Sequence, residues 1–333
     1  MKKVLTVILA VVALLGCNNE HTPNAPADLE AIGFGTVDTR ADANLSTLKA
    51  DGFGVWAYIS NSAQQNYLLM ENQLVEYDES KKKWFYSPVK YWLDDTEFSF
   101  IGAYPYDENS SYFTTDAENA AVKLTVSDTP SKVDFLIAES VTDTSDESYS
   151  KTVSLPFQHV LTSVCLNIWR DGGKHQNDYM RIKSVTLSNI RKGGVYTTKT
   201  DTWSLNKDKL SMEYVNETLN DSDNIGAATM KNGTLETGGT PASPFKTMML
   251  LPQTVDNTNS VALKIEYQLK RQNAADWEYA ELETVLPTGE WQPGKRYTYN
   301  VVLSSVTDIT VYYIQTKVDQ WGTPQVGGTV IIK

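Results

Sequence analysis

The chain has 333 residues, and 41 Asp and Glu outweigh 29 Lys and Arg to give a formal charge of −12. An acidic surface repels phosphate backbones and anionic headgroups, which excludes nucleic acid as a partner. The length exceeds one typical domain and points to two.

Lys2 and Lys3 open a positive segment, Val4 to Leu15 is apolar apart from Thr6, and Leu14-Leu15-Gly16-Cys17 closes the leader. Its apolar run falls short of the ~20 residues of a bilayer span, and residues 1–16 read as a bacterial lipoprotein signal peptide. Cys17 is then the lipidated first residue of the mature chain. Acyl chains at roughly 0.8 kcal/mol per buried methylene anchor it to the outer membrane without a transmembrane helix. Loss of the leader removes two lysines and no acid, leaving a charge of −14. Cys165 then has no partner for a disulfide, and within Val164-Cys165-Leu166 it reads as a small buried hydrophobe.

Residues 17–30 carry Pro23, Ala25, Pro26 and Ala27 among polar residues and read as a flexible tether. After it, short alternating runs punctuated by Gly, Pro, Asn and Asp replace any sustained helical period, so the chain is predicted to be all-β. The first strand spans Ile32 to Thr39, with Ile32, Phe34 and Thr36 on one face; polar and small residues from Thr39 to Asn44 interrupt it. Further strands are predicted at 52–59, 83–86, 98–104, 121–126 and 133–137. The acidic, Ser/Thr-rich stretch 140–150 reads as the link between an N-terminal β-sandwich (31–150) and a C-terminal one (151–333). Strands of the second set fall at 153–157, 161–169, 181–187, 246–251, 260–269, 279–286, 297–303, 309–317 and 329–333. The polar, Gly/Asn-rich 206–243 reads as an excursion. Two tandem sandwiches are the architecture that this spacing favours.

Several runs have a local physical reading. In Trp291-Gln292-Pro293-Gly294-Lys295, Pro293 presets φ and Gly294 takes the positive φ of a type II turn. Leu250-Leu251-Pro252 ends a buried strand. His159 reads as a hydrogen-bonded structural residue. Most of the eight tryptophans read as core or sheet-face residues, although some could offer a sugar-stacking platform.

Taken in order, certain pieces resemble the fimbrillin family of Bacteroidetes lipoproteins, the subunits of type V pili. They are Gly52-Phe53-Gly54-Val55-Trp56-Ala57-Tyr58, Tyr86-Ser87-Pro88-Val89-Lys90-Tyr91-Trp92 with Phe98 to Pro105, and Asp134 to Ala138. Leu155 to Leu161, Leu250-Leu251-Pro252-Gln253, Trp291 to Tyr299, and Val318-Asp319-Gln320-Trp321 with Gly327 to Val330 complete the series. The resemblance implies transthyretin-like sandwiches and a stalk, tip or anchor subunit of a surface fimbrium. It also implies joining to other pilin subunits by strand complementation, in which a neighbour's strand fills an apolar groove. It implies proteolytic processing at Arg40-Ala41, displacement of the strand carrying Ile32, Phe34 and Thr36, and donation of Thr329, Val330, Ile331 and Ile332; the other reading is that Arg40 lies in an ordinary loop and Ile32–Thr39 is a permanent edge strand, which would suit an anchor or tip subunit. A host or bacterial surface receptor is a further expected partner.

Catalytic chemistry is not legible. The chain has no P-loop, Gly-x-Gly-x-x-Gly, His-Glu-x-x-His or Cys-x-x-Cys motif and no serine-nucleophile context, and its three histidines are scattered. Acidic clusters at Asp94-Asp95, 143–147 and Asp221-Ser222-Asp223 are the ordinary loops of an acidic protein. No enzyme activity, catalytic residue, cofactor or metal is expected. The competing reading is a surface carbohydrate-binding lipoprotein of a glycan uptake system.

Overall fold

The computed structural model describes residues 29–39, 42–109, 111–232, 234–304, 312–320 and 330–332. Strands dominate, and the one α-helix among the described residues is Asp42–Asp51, directly after the first strand. That helix was hidden in the sequence, because only Leu45 and Leu48 mark its apolar face. Leu48 is fully buried in the first core.

The first half is built on a seven-stranded sheet in the order Gly33–Thr39, Thr152–His159, Leu136–Asp143, Glu97–Tyr104, Phe53–Ser60, Tyr67–Asp78, Lys83–Phe85. Phe53–Ser60 is buried along almost its whole length because both faces of this sheet are covered. Phe53, Val55, Ala57 and Ile59 point into a core shared with Phe34, Phe98, Phe100 and Phe157. Trp56 and Tyr58 point the other way, into a core with Phe113, Val122, Leu124 and Tyr196. A four-stranded sheet in the order Thr202–Leu205, Gly194–Thr197, Ala121–Val126, Phe113–Asp116 closes that second core.

Two expectations about organisation are corrected here. The stretch 140–150 does not separate the halves: Leu136–Asp143 and Thr152–His159 are neighbours in one sheet, and the acidic residues turn between them. Val153, Leu155 and Phe157 alternate inward, which fixes this strand to the first half. In addition, the hairpin 194–205 crosses back to pair with Ala121–Val126, and Trp203 Nε1 donates to the Val160 carbonyl at 2.9 Å. The halves are therefore interlocked rather than strung in series.

The second half is a sandwich. One sheet centres on Thr162–Asp171, flanked by Lys295–Leu303 in parallel and Ala242–Leu250 in antiparallel pairing. Outward from Lys295–Leu303 come Tyr312–Gln320 and then the edge strand Val330–Ile332. The facing sheet runs Lys209–Val215, Tyr179–Arg191, Ala262–Lys270, Glu278–Val285. Between them lies the largest apolar cluster, including Val164, Leu166, Ile182, Leu263 and Val301. Since Val164 and Leu166 face this core, Cys165 faces the other side; it is half-buried, with Thr247 Oγ1 at 3.7 Å, rather than a core residue. The turn at Gly294 forms as the sequence predicts, with φ of 65° and Gly294 N–H donating to the Leu161 carbonyl at 2.8 Å.

Candidate assembly interface

The first strand lies at the edge of its sheet, and the segment leading into it is seated in a slot. On one side, Gly33–Thr39 pairs in parallel with Thr152–His159. On the other, the segment just before it meets Tyr86 to Trp92. Ile32 N–H donates to the Lys90 carbonyl and Trp92 N–H to the Glu30 carbonyl, both at 2.9 Å. Tyr86 Oη donates to the Ile32 carbonyl at 2.9 Å. Burial pushes the Tyr86 phenol up to about 12, which keeps it a neutral donor across the physiological range. An ion pair between Glu30 and Lys151 closes the mouth of the slot.

The floor of the slot is aromatic. Phe34 has ring centroids of Tyr86 at 5.5 Å, Phe100 at 6.1 Å and Phe53 at 6.4 Å, all edge-on. Ile32 and Phe34 are almost fully buried, and each such side chain contributes about 1.5–3 kcal/mol when removed from water. The expected third member of that face, Thr36, is displaced by a bulge. Phe34 lies opposite Val153, but Val37 lies opposite Leu155, so three residues of the first strand span two of its partner. The register places Val37, not Thr36, opposite Leu155.

Gly35 makes the close approach possible. A Cβ there would stand 2.2 Å from Thr152 Cγ2. Gly35→Ala is therefore expected to cost about 1–3 kcal/mol of overpacking, read as a fall in the urea midpoint, and Gly35→Ala with Thr152→Ser should recover most of it.

Of the remaining candidate residues, Val330, Ile331 and Ile332 form an edge strand whose partners are Thr316, Gln315 and Ile314. Cys17, Arg40, Ala41 and Thr329 lie outside the described residues. Sequence reasoning missed the second wall of the slot. Lys90 and Trp92 act there through backbone groups, which leave no trace in side-chain pattern, while Tyr86 contributes its hydroxyl and ring. His159 is structural as expected, with Nδ1 at 2.8 Å from Asp134 Oδ1.

A sequence profile described as fimbrillin-like matches residues 39–321, most of the chain. The chain belongs to the fimbrillin-like family. Fimbrium subunit Fim1C of Phocaeicola vulgatus is 28% identical over 192 residues, 49% of this chain and 50% of that protein, so the match spans half the length of that curated relative. A solved fimbrial protein of Bacteroides vulgatus superposes with a TM-score of 0.64 at 19% identity, covering 87% of this chain and 99% of its own. A solved candidate cell adhesion protein of Parabacteroides distasonis gives 0.50 at 13% identity, covering 90% and 98%. At such identities the likeness is one of fold. The fimbrillin-like profile begins at Thr39 and ends at Trp321. It thus embraces both halves and leaves out nearly all of the first strand and the whole of the last.

Proposed function

We propose that this chain is a structural or adhesive subunit of a bacterial surface pilus, joined to its neighbours by strand complementation in the slot and sheet edge now filled by residues 30–39. The observation that carries this reading is the slot itself. A short terminal segment, hydrogen-bonded on both sides, inserts Ile32 and Phe34 into an aromatic core that is otherwise complete. Its removal would expose apolar surface and an unpaired ladder, which a strand from another copy would cover at once. The donor is Thr329 to Ile332. Its last three positions form the edge strand beside Tyr312–Gln320. Family membership and the relative named as a fimbrium subunit support this assignment. The role is one of assembly and adhesion rather than of catalysis.

Deletion of 329–333 tests the joining step. The truncated chain should fold, reach the surface and give no ladder of polymer in denaturing gels run without boiling. A ladder equal to wild type would overturn strand donation by this segment.

The same proposal places lipid on Cys17 and the subunit at the outer membrane during export. Cys17→Ser should move the protein from the membrane pellet to the soluble fraction, because several acyl chains supply the anchor. Retention of the variant in the pellet would refute it.

A further inference from the structure

Trp56, Trp84, Trp92, Trp169 and Trp291 are buried, but Trp277 stands half-exposed beside the outer face of the sheet of the second half. Three cations gather around it and its neighbour Tyr279. The Arg181 guanidinium carbon is 3.8 Å from the Trp277 ring centroid, Lys270 Nζ is 6.0 Å from the same centroid, and Lys183 Nζ is 5.7 Å from that of Tyr279. Register explains the gathering, since Tyr179 lies opposite Lys270, Arg181 opposite Gln268, and Gln268 opposite Tyr279.

Arg181 is also held by other groups, its Nε donating to Gln268 Oε1 at 3.0 Å, whereas the ammonium groups of Lys270 and Lys183 stand beside rings. The carboxylates at hand are engaged elsewhere: Glu278 with Arg271 at 3.3 Å, and Glu281 and Glu266 with Lys264 at 3.0 and 3.3 Å. Asp276, on the loop, is exposed to water. Tyr179, Lys270, Trp277 and the loop residues Gln272 and Asn273 line a cleft of about 530 Å³.

The loop that forms its wall is fixed. Gln272 N–H donates to Asp178 Oδ1 at 2.9 Å, and the other oxygen of Asp178 meets His175 Nδ1 at 2.8 Å. Burial alone would raise the Asp178 carboxyl, but these bonds outweigh it and hold the carboxyl below its usual range, so it stays ionised and keeps the loop in place. His175 is anchored in turn by Nε2 at 2.8 Å from the Ser304 carbonyl.

We propose that this cleft binds an anionic saccharide, a pyranose bearing a carboxylate, with its ring against Tyr179 and Trp277 and its acid group on Lys270. Two aromatic walls offer apolar faces to the C–H groups of a sugar ring, while the Gln272 and Asn273 amides offer donors and acceptors to hydroxyls. An ammonium held only by a ring at 6.0 Å is free to turn to a carboxylate. The strand carrying Tyr179 offers a peptide no open ladder, and the open edge of Glu278–Val285 beside it makes pentaglutamate the control that separates the two ligands. Tyr179 to Ile182 pairs with 267–270 on one side, and on the other Met180 N–H donates to Asn224 Oδ1 and its carbonyl accepts from Ile225 N–H. This inference goes beyond the pilus reading and stands whether or not the chain polymerises.

Calorimetric titration of the full mature chain, made soluble by Cys17→Ser, tests it with 3′-sialyllactose, trigalacturonate, lactose and pentaglutamate. One of the two acidic saccharides should bind at least about tenfold more tightly than lactose and pentaglutamate, and which one binds identifies the source of the carboxylate. Lys270→Glu and Trp277→Ala should each weaken that binding about tenfold or more, and the distant Lys81→Glu should leave it within about twofold. Should Trp277→Ala lower the melting temperature, Tyr179→Ala, at an exposed residue, and Lys270→Glu, at a half-buried one, decide the matter. Failure of both acidic saccharides to bind, equal binding of lactose or pentaglutamate, or wild-type affinity in Lys270→Glu would overturn the proposal.

Discussion

Phe34→Ala should weaken the free subunit strongly and leave the assembled polymer untouched. The side chain is almost fully buried and meets three rings, so truncation should cost about 3–5 kcal/mol. At roughly 2–4 °C per kcal/mol for a domain of this size, the melting temperature of the unassembled protein should fall by about 6–20 °C. If the first strand is gone from the polymer, its sequence no longer matters there, and the temperature at which the ladder dissociates should not change. Phe100→Ala provides the contrast. Phe100 lines the same slot from a strand that stays with the subunit, so it should lower both temperatures. A ladder that weakens equally in Phe34→Ala and Phe100→Ala would mean that the first strand is retained.

What the sequence revealed depended on whether side chains or backbone carried the signal. Phe53–Ser60 and Glu97–Tyr104 were legible because both faces are buried, and a short, uninterrupted aromatic and aliphatic run bounded by turn residues is the mark of such a strand. Tyr67–Asp78 escaped notice although it is the neighbour of Phe53–Ser60. Its alternation is broken by two register shifts and by Asn72 at a φ of 44°, whose side chain donates to the Asp107 carbonyl at 2.6 Å. The strands Lys209–Val215 and Thr234–Gly238 hide within the excursion read at 206–243 because most of their side chains face water.

The division between halves was misplaced for a related reason. Acidic and hydroxyl residues signal exposure, and 144–150 is largely exposed, but exposure marks a turn within a sheet as readily as a linker between domains. The return of Gly194–Thr197 to Ala121–Val126 is a non-local pairing that no periodicity can announce. At the candidate interface, Ile32 and Phe34 were legible as the buried face, whereas the bulge that places Val37, not Thr36, opposite Leu155 was not. The cleft at Trp277 was only half legible. Its ring was one of eight, and the cations that single it out come from two neighbouring strands brought together by pairing.

Arg40→Ala should leave the subunit folded, lipidated and unable to polymerise. In the proposed pathway a protease cuts after Arg40, and residues 17–40 depart with the lipid, the tether and the first strand. The position suits such a cut because it lies between the end of Gly33–Thr39 and the start of the helix Asp42–Asp51. The helix is pinned by Leu48 in the first core and can remain when the strand leaves. What must be given up is the ladder to 152–157, the backbone bonds of Glu30 and Ile32 to 90–92, and the burial of Ile32 and Phe34. A donor carrying Val330 and Ile332 two positions apart matches the spacing of Ile32 and Phe34, so both apolar sites and the ladder can be refilled together. The uncut variant keeps its own strand in the slot, and an incoming one must compete with a tethered segment at far higher effective concentration. Cells making Arg40→Ala should therefore yield only monomer, recovered from the membrane fraction with Cys17 at its N-terminus. If the variant instead forms the same ladder as wild type, and wild-type polymer also begins at Cys17, then the first strand never leaves, the slot is a permanent part of the fold, and subunits must join at another surface.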